Sequence, residues 1–144
     1  MDQHRQKQAK PTALTSTAIT SLAALKVILG ASCVIAPQFA CSLFLLKLPP
    51  QGAIAGRLFG SSCAALGLLT WKLSKRASEG SLSNSDLKTA LALNIMADTA
   101  DTISCLVGYS AGMYGLPTLG MLGGGCVALA VLGAAGYAGI DSRA

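Results

Sequence analysis

Charge is what this sequence has least of. Of its 144 residues 12% are charged, against roughly 25% in an average soluble domain. With 52% hydrophobic residues and a mean hydropathy of +0.56, this excludes disorder, which needs low hydrophobicity and high charge. It argues equally against an ordinary soluble domain. Histidine occurs once, as His4 in a polar tail, so neither a His-based triad nor a His metal site is available. The five cysteines, Cys33, Cys41, Cys63, Cys105 and Cys126, include no CxxC and no Cys/His grouping. A zinc site is therefore not expected, and the cysteines read as small apolar packers. Redox chemistry would need a bound quinone or flavin, and neither has a signature here. There is no Walker-type phosphate loop, and the glycines near 120–125 follow no strand. No cofactor is expected.

A net charge of +5 would suit a nucleic-acid partner. The basic residues, however, flank apolar blocks, and no basic face alternates with aromatics, so nucleic acid is set aside.

What is present is four long apolar blocks, at about 12–36, 53–71, 89–109 and 117–140. A bilayer core needs about 20 apolar residues per helix, so four spans use most of the chain as a single membrane domain, 1–144. The fold class expected is an all-α integral membrane protein, a four-transmembrane-helix bundle. The first block is too long for a signal-peptide core and carries Lys26, which reads as a retained span. The apolar stretch 39–46 is too short to span, and should lie in the interface or cover the mouth of the bundle. The polar stretch 72–88 is the longest loop, with Asn84-Ser85-Asp86 as the cap of the next helix. Pro117 suits a helix start.

Eight of the eleven Lys and Arg fall on one side of this topology: Arg5, Lys7, Lys10, Lys72, Lys75, Arg76, Lys88 and Arg143. Lys47 alone falls on the other. The positive-inside rule then places both termini in the cytoplasm. Gly56 with Gly60 and Gly120 with Gly124 are small-residue pairs that let helices approach closely in lipid. Packing within the bundle is the favoured reading, and a homodimer face the alternative.

Four ionisable residues lie inside the blocks: Lys26, Arg57, Asp98 and Asp101. Each costs about 2.5–3.5 kcal/mol at a helix centre on insertion scales, so such residues pair, face the bundle interior and are functional by default. At 1.5 Å rise per residue, Asp98 and Asp101 lie roughly 14 and 18 Å deep, Arg57 roughly 24 Å and Lys26 roughly 15–21 Å. All four heads can share one layer with Ser61. Asn94, Asp98, Asp101 and Cys105 share a face of the third helix, which must line a cavity or a polar core.

Two readings follow. A structural ion-pair cluster would fix helix register. A catalytic site would use one carboxylate as base and the other as acid. By depth Asp101 should pair with Arg57 and be the ionised base, leaving Asp98 as proton donor, unless Lys26 neutralises Asp98 instead. Lys26, Ser61 and Asn94 would position substrate or water. An Asp–Arg–Asp set opens epoxides in soluble hydrolases of the limonene-epoxide type, a parallel of chemistry and not of fold.

The Arg-bearing second block (GRLFGSSCAALG) and the Asp-bearing third (NIMADTADTISC) resemble those of small fungal membrane proteins of polyketide pathways. These are the epoxide hydrolases and cyclases of polyene-pyrone routes of the aurovertin and citreoviridin type. The resemblance implies opening of polyene epoxides and closure of cyclic ethers at an internal membrane, the endoplasmic reticulum. The expected partners are a lipophilic small-molecule substrate and membrane lipid. Two alternatives remain: a small proton-coupled transporter, and a non-catalytic membrane assembly subunit. Small multidrug exporters are similar in length, but carry their acid in the first helix, where this chain has Lys26.

Overall fold

The computed structural model describes residues 12–141. The polar tail with His4, Arg5, Lys7 and Lys10, and Arg143 at the other end, lie outside the described residues.

Five α-helices and one 3-10 turn make up the described chain, and no strand occurs among the described residues. Helix α1 spans Ala13–Ile35. Thr12 caps it, its hydroxyl accepting from the Thr15 N–H at 3.1 Å. It stops because Pro37 follows: the residue before proline is pushed out of the helical region, and Ala36 has φ −138°. Pro37 then opens a short helix, α2 (Pro37–Ser42), where its missing N–H costs nothing. A turn at Pro50–Gly52 leads into α3 (Ala53–Ser78). Helices α4 (Asn84–Ser110) and α5 (Leu116–Asp141) complete the bundle.

The long polar loop expected at 72–88 shrinks to 79–83. Lys, Leu, Arg and Ala are good helix formers, so α3 continues past the apolar block and α4 starts before it. The cap of α4 is Ser83, one residue earlier than expected, its hydroxyl accepting from the Asp86 N–H at 3.2 Å. Helices α3 and α4 are each followed, two residues past their last helical residue, by a glycine at positive φ, Gly80 (71°) and Gly112 (70°). That is the left-handed C-terminal stop that a side chain would strain.

Helices α1, α3, α4 and α5 are each long and apolar enough to cross a membrane. Their outer faces remain apolar: Leu14, Ile28, Leu58, Met96, Val107 and Val131 are all exposed. Helices that are apolar outside as well as inside belong in lipid, and the chain is an integral membrane protein.

The bundle is two antiparallel pairs. Helix α1 packs most closely on α3, and α4 on α5, with looser seams between α1 and α5 and between α3 and α4. One half of the bundle is solid, built on Ile19, Leu22, Ala77, Leu87 and Leu91. The other half, toward the α2 end, is hollow.

Candidate functional site: an acid-floored cavity between two helix pairs

The hollow half holds a cavity of about 570 Å³, lined by residues from all five helices. The segment predicted to lie in the interface or over the mouth of the bundle closes one end of it. Ala40, Cys41, Phe44 and Leu46 line the cavity, and the Thr118 hydroxyl of α5 donates to the Leu45 carbonyl at 3.0 Å. Leu45 has φ +58°, a left-handed conformation costing a non-glycine residue roughly 1–2 kcal/mol. Among the lining residues, Ala55 and Phe59 of α3 and Ser104 of α4 are exposed on one seam, and Leu25 of α1 and Ala128 of α5 on the other. The cavity is therefore open sideways, where the bundle meets lipid.

Asp98 and Asp101 lie on α4 one turn apart and both line the cavity. Lys26 Nζ of α1 reaches Asp98 Oδ1 at 2.8 Å, with 2% and 3% of the two side chains exposed. The pair crosses the bundle between helices that are otherwise not close neighbours. Asp98 Oδ2 is buried with no hydrogen-bond partner among the described residues. Asp101 is half-buried and makes neither hydrogen bond nor ion pair among the described residues.

Below this layer, Asn94 is fully buried. Its Nδ2 donates to Thr70 Oγ1 at 2.9 Å and to the Ala90 carbonyl at 2.8 Å, while its Oδ1 has no hydrogen-bond partner among the described residues. Asn94 is not among the cavity-lining residues. Its expected role of positioning substrate or water there is corrected to one in the polar layer beneath Asp98.

Arg57 is a second correction. It is exposed, does not line the cavity and forms no ion pair among the described residues. The expected Asp101–Arg57 pair is absent, and Lys26 on Asp98 takes its place. The reason lies in α3, whose buried stripe includes Gly60, Cys63, Gly67 and Thr70. A side-chain Cβ at Gly60 would come within 2.7 Å of the Cys33 Cβ and the Gly30 carbonyl. The crossing with α1 needs the stripe of Gly60, Cys63, Gly67 and Thr70 inward, and Arg57 and Ser61, which share another side of the helix, then face outward. Ser61 is exposed and bonds back to the Leu58 carbonyl at 2.9 Å. Arg57 also lies within the first turn or so of α3, so its long arm can reach the bundle end and water.

Ser104, a polar residue near the Asp98 and Asp101 face, lines the cavity. The sequence reading missed Tyr114, which also lines it and donates its hydroxyl to the Cys105 carbonyl at 2.6 Å. All five cysteines line it too, one from each helix. Burial raises the Cys41 thiol above the ordinary thiol range, which keeps it protonated and unreactive near neutral pH. Among the described residues no three His, Cys, Asp or Glu side chains are grouped to hold a metal ion.

The site is thus two carboxylates, one bound to a buried ammonium, at one end of an otherwise apolar chamber in a four-span membrane protein. Comparison with protein-family models, with curated proteins and with solved structures gives no match. The functional reading rests on the geometry.

Proposed function

We propose that this chain is a membrane-embedded enzyme that opens a lipophilic epoxide by acid–base catalysis, as a hydrolase or cyclase. The observation that carries the reading is the placing of Asp98 and Asp101 together on the wall of an otherwise apolar, laterally open cavity. Epoxide opening needs an acid at the epoxide oxygen and a base at the nucleophile. The Lys26 ammonium favours Asp98 as the carboxylate, whose free Oδ2 takes the proton from water or from a substrate hydroxyl. The nucleophile's oxygen then bonds to carbon. The epoxide C–O bond breaks, and its electron pair stays on oxygen, which receives the proton of Asp101. Asp101 has no cation partner, so it is the donor. These roles reverse the sequence expectation, because the cation that decides them is Lys26 and not Arg57. A proton passing from Asp98 to Asp101 resets the pair.

The excess of Lys and Arg on one side supports an orientation with both termini cytoplasmic. The cavity then lies in the half of the membrane away from the cytoplasm. The endoplasmic reticulum is the membrane implied by the resemblance to the polyene-pyrone enzymes.

The test is turnover of a lipophilic polyene epoxide by the protein in lipid vesicles. Asp98→Asn and Asp101→Asn should each lower the rate by about 10²–10⁴-fold, with Arg57→Gln close to the parent. If both Asp variants keep full turnover, the mechanism is wrong. A second reading, a proton-coupled carrier, draws on the buried polar residues Thr70 and Asn94 that continue below Asp98. It predicts proton flux across the same vesicles without substrate conversion. The open chamber beside Asp98 counts against a purely structural assembly subunit.

A further inference from the structure

Away from the acid-floored cavity the bundle holds a second, smaller recess. It is a groove of about 230 Å³ between α1 and α3, at the end where α1 begins and α3 stops. Ile19, almost fully buried, lies at its base. Ser16 and Thr20 of α1 form one wall, and Trp71, Ser74, Lys75 and Ser78 of α3 the other. The four α3 residues are spaced three, one and three, so they share one face of that helix. Every polar side chain in the groove can donate a hydrogen bond, and no carboxylate lines it. Most of these donors are idle. Thr17 on α1 returns its hydroxyl to the Ala13 carbonyl at 2.8 Å, and Ser78 returns its own to the Lys75 carbonyl at 2.7 Å, the common fate of a hydroxyl on a helix. The hydroxyls of Ser16, Thr20 and Ser74 make no hydrogen bond among the described residues. The Lys75 ammonium makes no ion pair among them, not even with Glu79 one turn further on.

We propose that this groove binds an anionic phospholipid by its phosphate. An ionised phosphate accepts hydrogen bonds and carries negative charge, so it complements one ammonium and three idle hydroxyls. Basic recesses between spanning helices at a membrane surface take lipid head groups of this kind. Two further observations favour a lipid over free phosphate. Trp71 is exposed beside the groove, and tryptophan rings settle at the headgroup level of a bilayer. Toward the middle of the membrane the same helix faces turn apolar. Thr20 is followed by Ala24 and Ile28 at four-residue steps along α1, Leu68 stands one turn before Trp71 on α3, and Ile28 and Leu68 are both exposed. A lipid held by its phosphate at Lys75 therefore lays an acyl chain along this seam, against Leu68 and Ile28. Lys72 and Arg76 do not line the groove, so they attract anionic lipid only diffusely.

This binding is independent of the epoxide reading, since it uses neither Asp98 nor Asp101. Trp71 is the chain's single tryptophan, so its fluorescence reports on the groove alone. The experiment takes the whole chain in phosphatidylcholine vesicles with a minor share of phosphatidic acid, and bromine on the acyl chains of one lipid or the other. Bromine quenches an indole ring on contact. Brominated phosphatidic acid should quench Trp71 as if enriched about fivefold over its share of the bilayer, the weight of one lysine near an anionic lipid surface. Brominated phosphatidylcholine should show no enrichment. Lys75→Gln should remove the enrichment, and Thr20→Ala with Ser74→Ala should lower it. Lys72→Gln with Arg76→Gln should leave most of it. Lys75 is exposed, so Lys75→Gln should keep the fold, seen as unchanged quenching by brominated phosphatidylcholine. The proposal is overturned by equal quenching from the two lipids, or by enrichment that survives Lys75→Gln or the loss of both hydroxyls. Enrichment lost equally with Lys72 and Arg76 would mark diffuse attraction and overturn it too. Inorganic phosphate at millimolar level should not compete; if it abolishes the enrichment, the groove takes free phosphate and the lipid proposal fails.

Discussion

A lysine with 2% of its surface exposed cannot be left alone in a bundle core. Moving an ammonium and a carboxylate out of water costs several kcal/mol each, and their attraction offsets this only when the geometry is good. Lys26 and Asp98 meet at 2.8 Å, so each is tolerable because of the other. Asp98→Asn should therefore destabilise the protein by about 3–5 kcal/mol, the cost of an uncompensated buried charge. The double change Lys26→Met with Asp98→Leu should recover most of it. Thermal unfolding in detergent measures both. Equal stability of the single and double variants would mean that the pair is not what holds the two helix pairs in register. Asp101 carries no such burden, because it has no ion-pair partner among the described residues. Asp101→Asn should change turnover far more than stability, and that contrast separates the structural carboxylate from the purely chemical one.

Glycine position decides how the elements fit. At Gly30 an added Cβ would lie 2.5 Å from both the Ala64 nitrogen and the Gly60 carbonyl oxygen. Those are backbone atoms, so α1 and α3 would have to separate. Gly30→Ala should destabilise by about 1–3 kcal/mol or more, read as a drop in unfolding temperature. Gly120 and Gly124 are the opposite case. Nothing lies within 4 Å of a Cβ at either, so the close packing within the bundle expected of this pair is not found. Gly120→Leu with Gly124→Leu should leave the monomer's unfolding temperature unchanged. If that face joins two copies in lipid, the same double variant abolishes the cross-linked dimer; a dimer that persists removes this face as its interface. The α2 segment shows a further dependence between elements. It is tied across the cavity by Thr118 to Leu45, a link that no local pattern in either segment announces.

The whole molecule is half solid and half hollow, and the polar layer of Lys26, Asp98, Asn94 and Thr70 marks the change. Four crossings predict both ends of the chain on one side of the membrane. Tags on the N- and C-termini should be reached by protease from the same face of sealed vesicles; protection of one tag alone would break the four-span architecture. The spans themselves were legible because lipid imposes length and hydropathy locally, residue by residue. The α4 face was legible for a similar reason: Asn94, Asp98, Asp101 and Cys105 are in phase along one helix, and the helical period is a local property. Depth along a helix could likewise be counted, and it brought Lys26 level with Asp98.

Rotation about each helix axis could not be counted in the same way. Lys26 and Arg57 are both single cations in apolar blocks, and nothing in their own segments says which one faces inward. The choice was made by the glycine-lined contact of α1 with α3, which points Gly60 and Cys63 inward and leaves Arg57 and Ser61 outside. The convergence of five cysteines, one per helix, depends on the same rotations, as does the loss of Asn94 from the cavity wall. The sequence alone determined that this is a four-span membrane protein with charge in its interior, because burial in lipid constrains each segment separately. Only the tertiary structure decided which charges meet and which side chains share the cavity, because those follow from contacts between helices far apart in the chain.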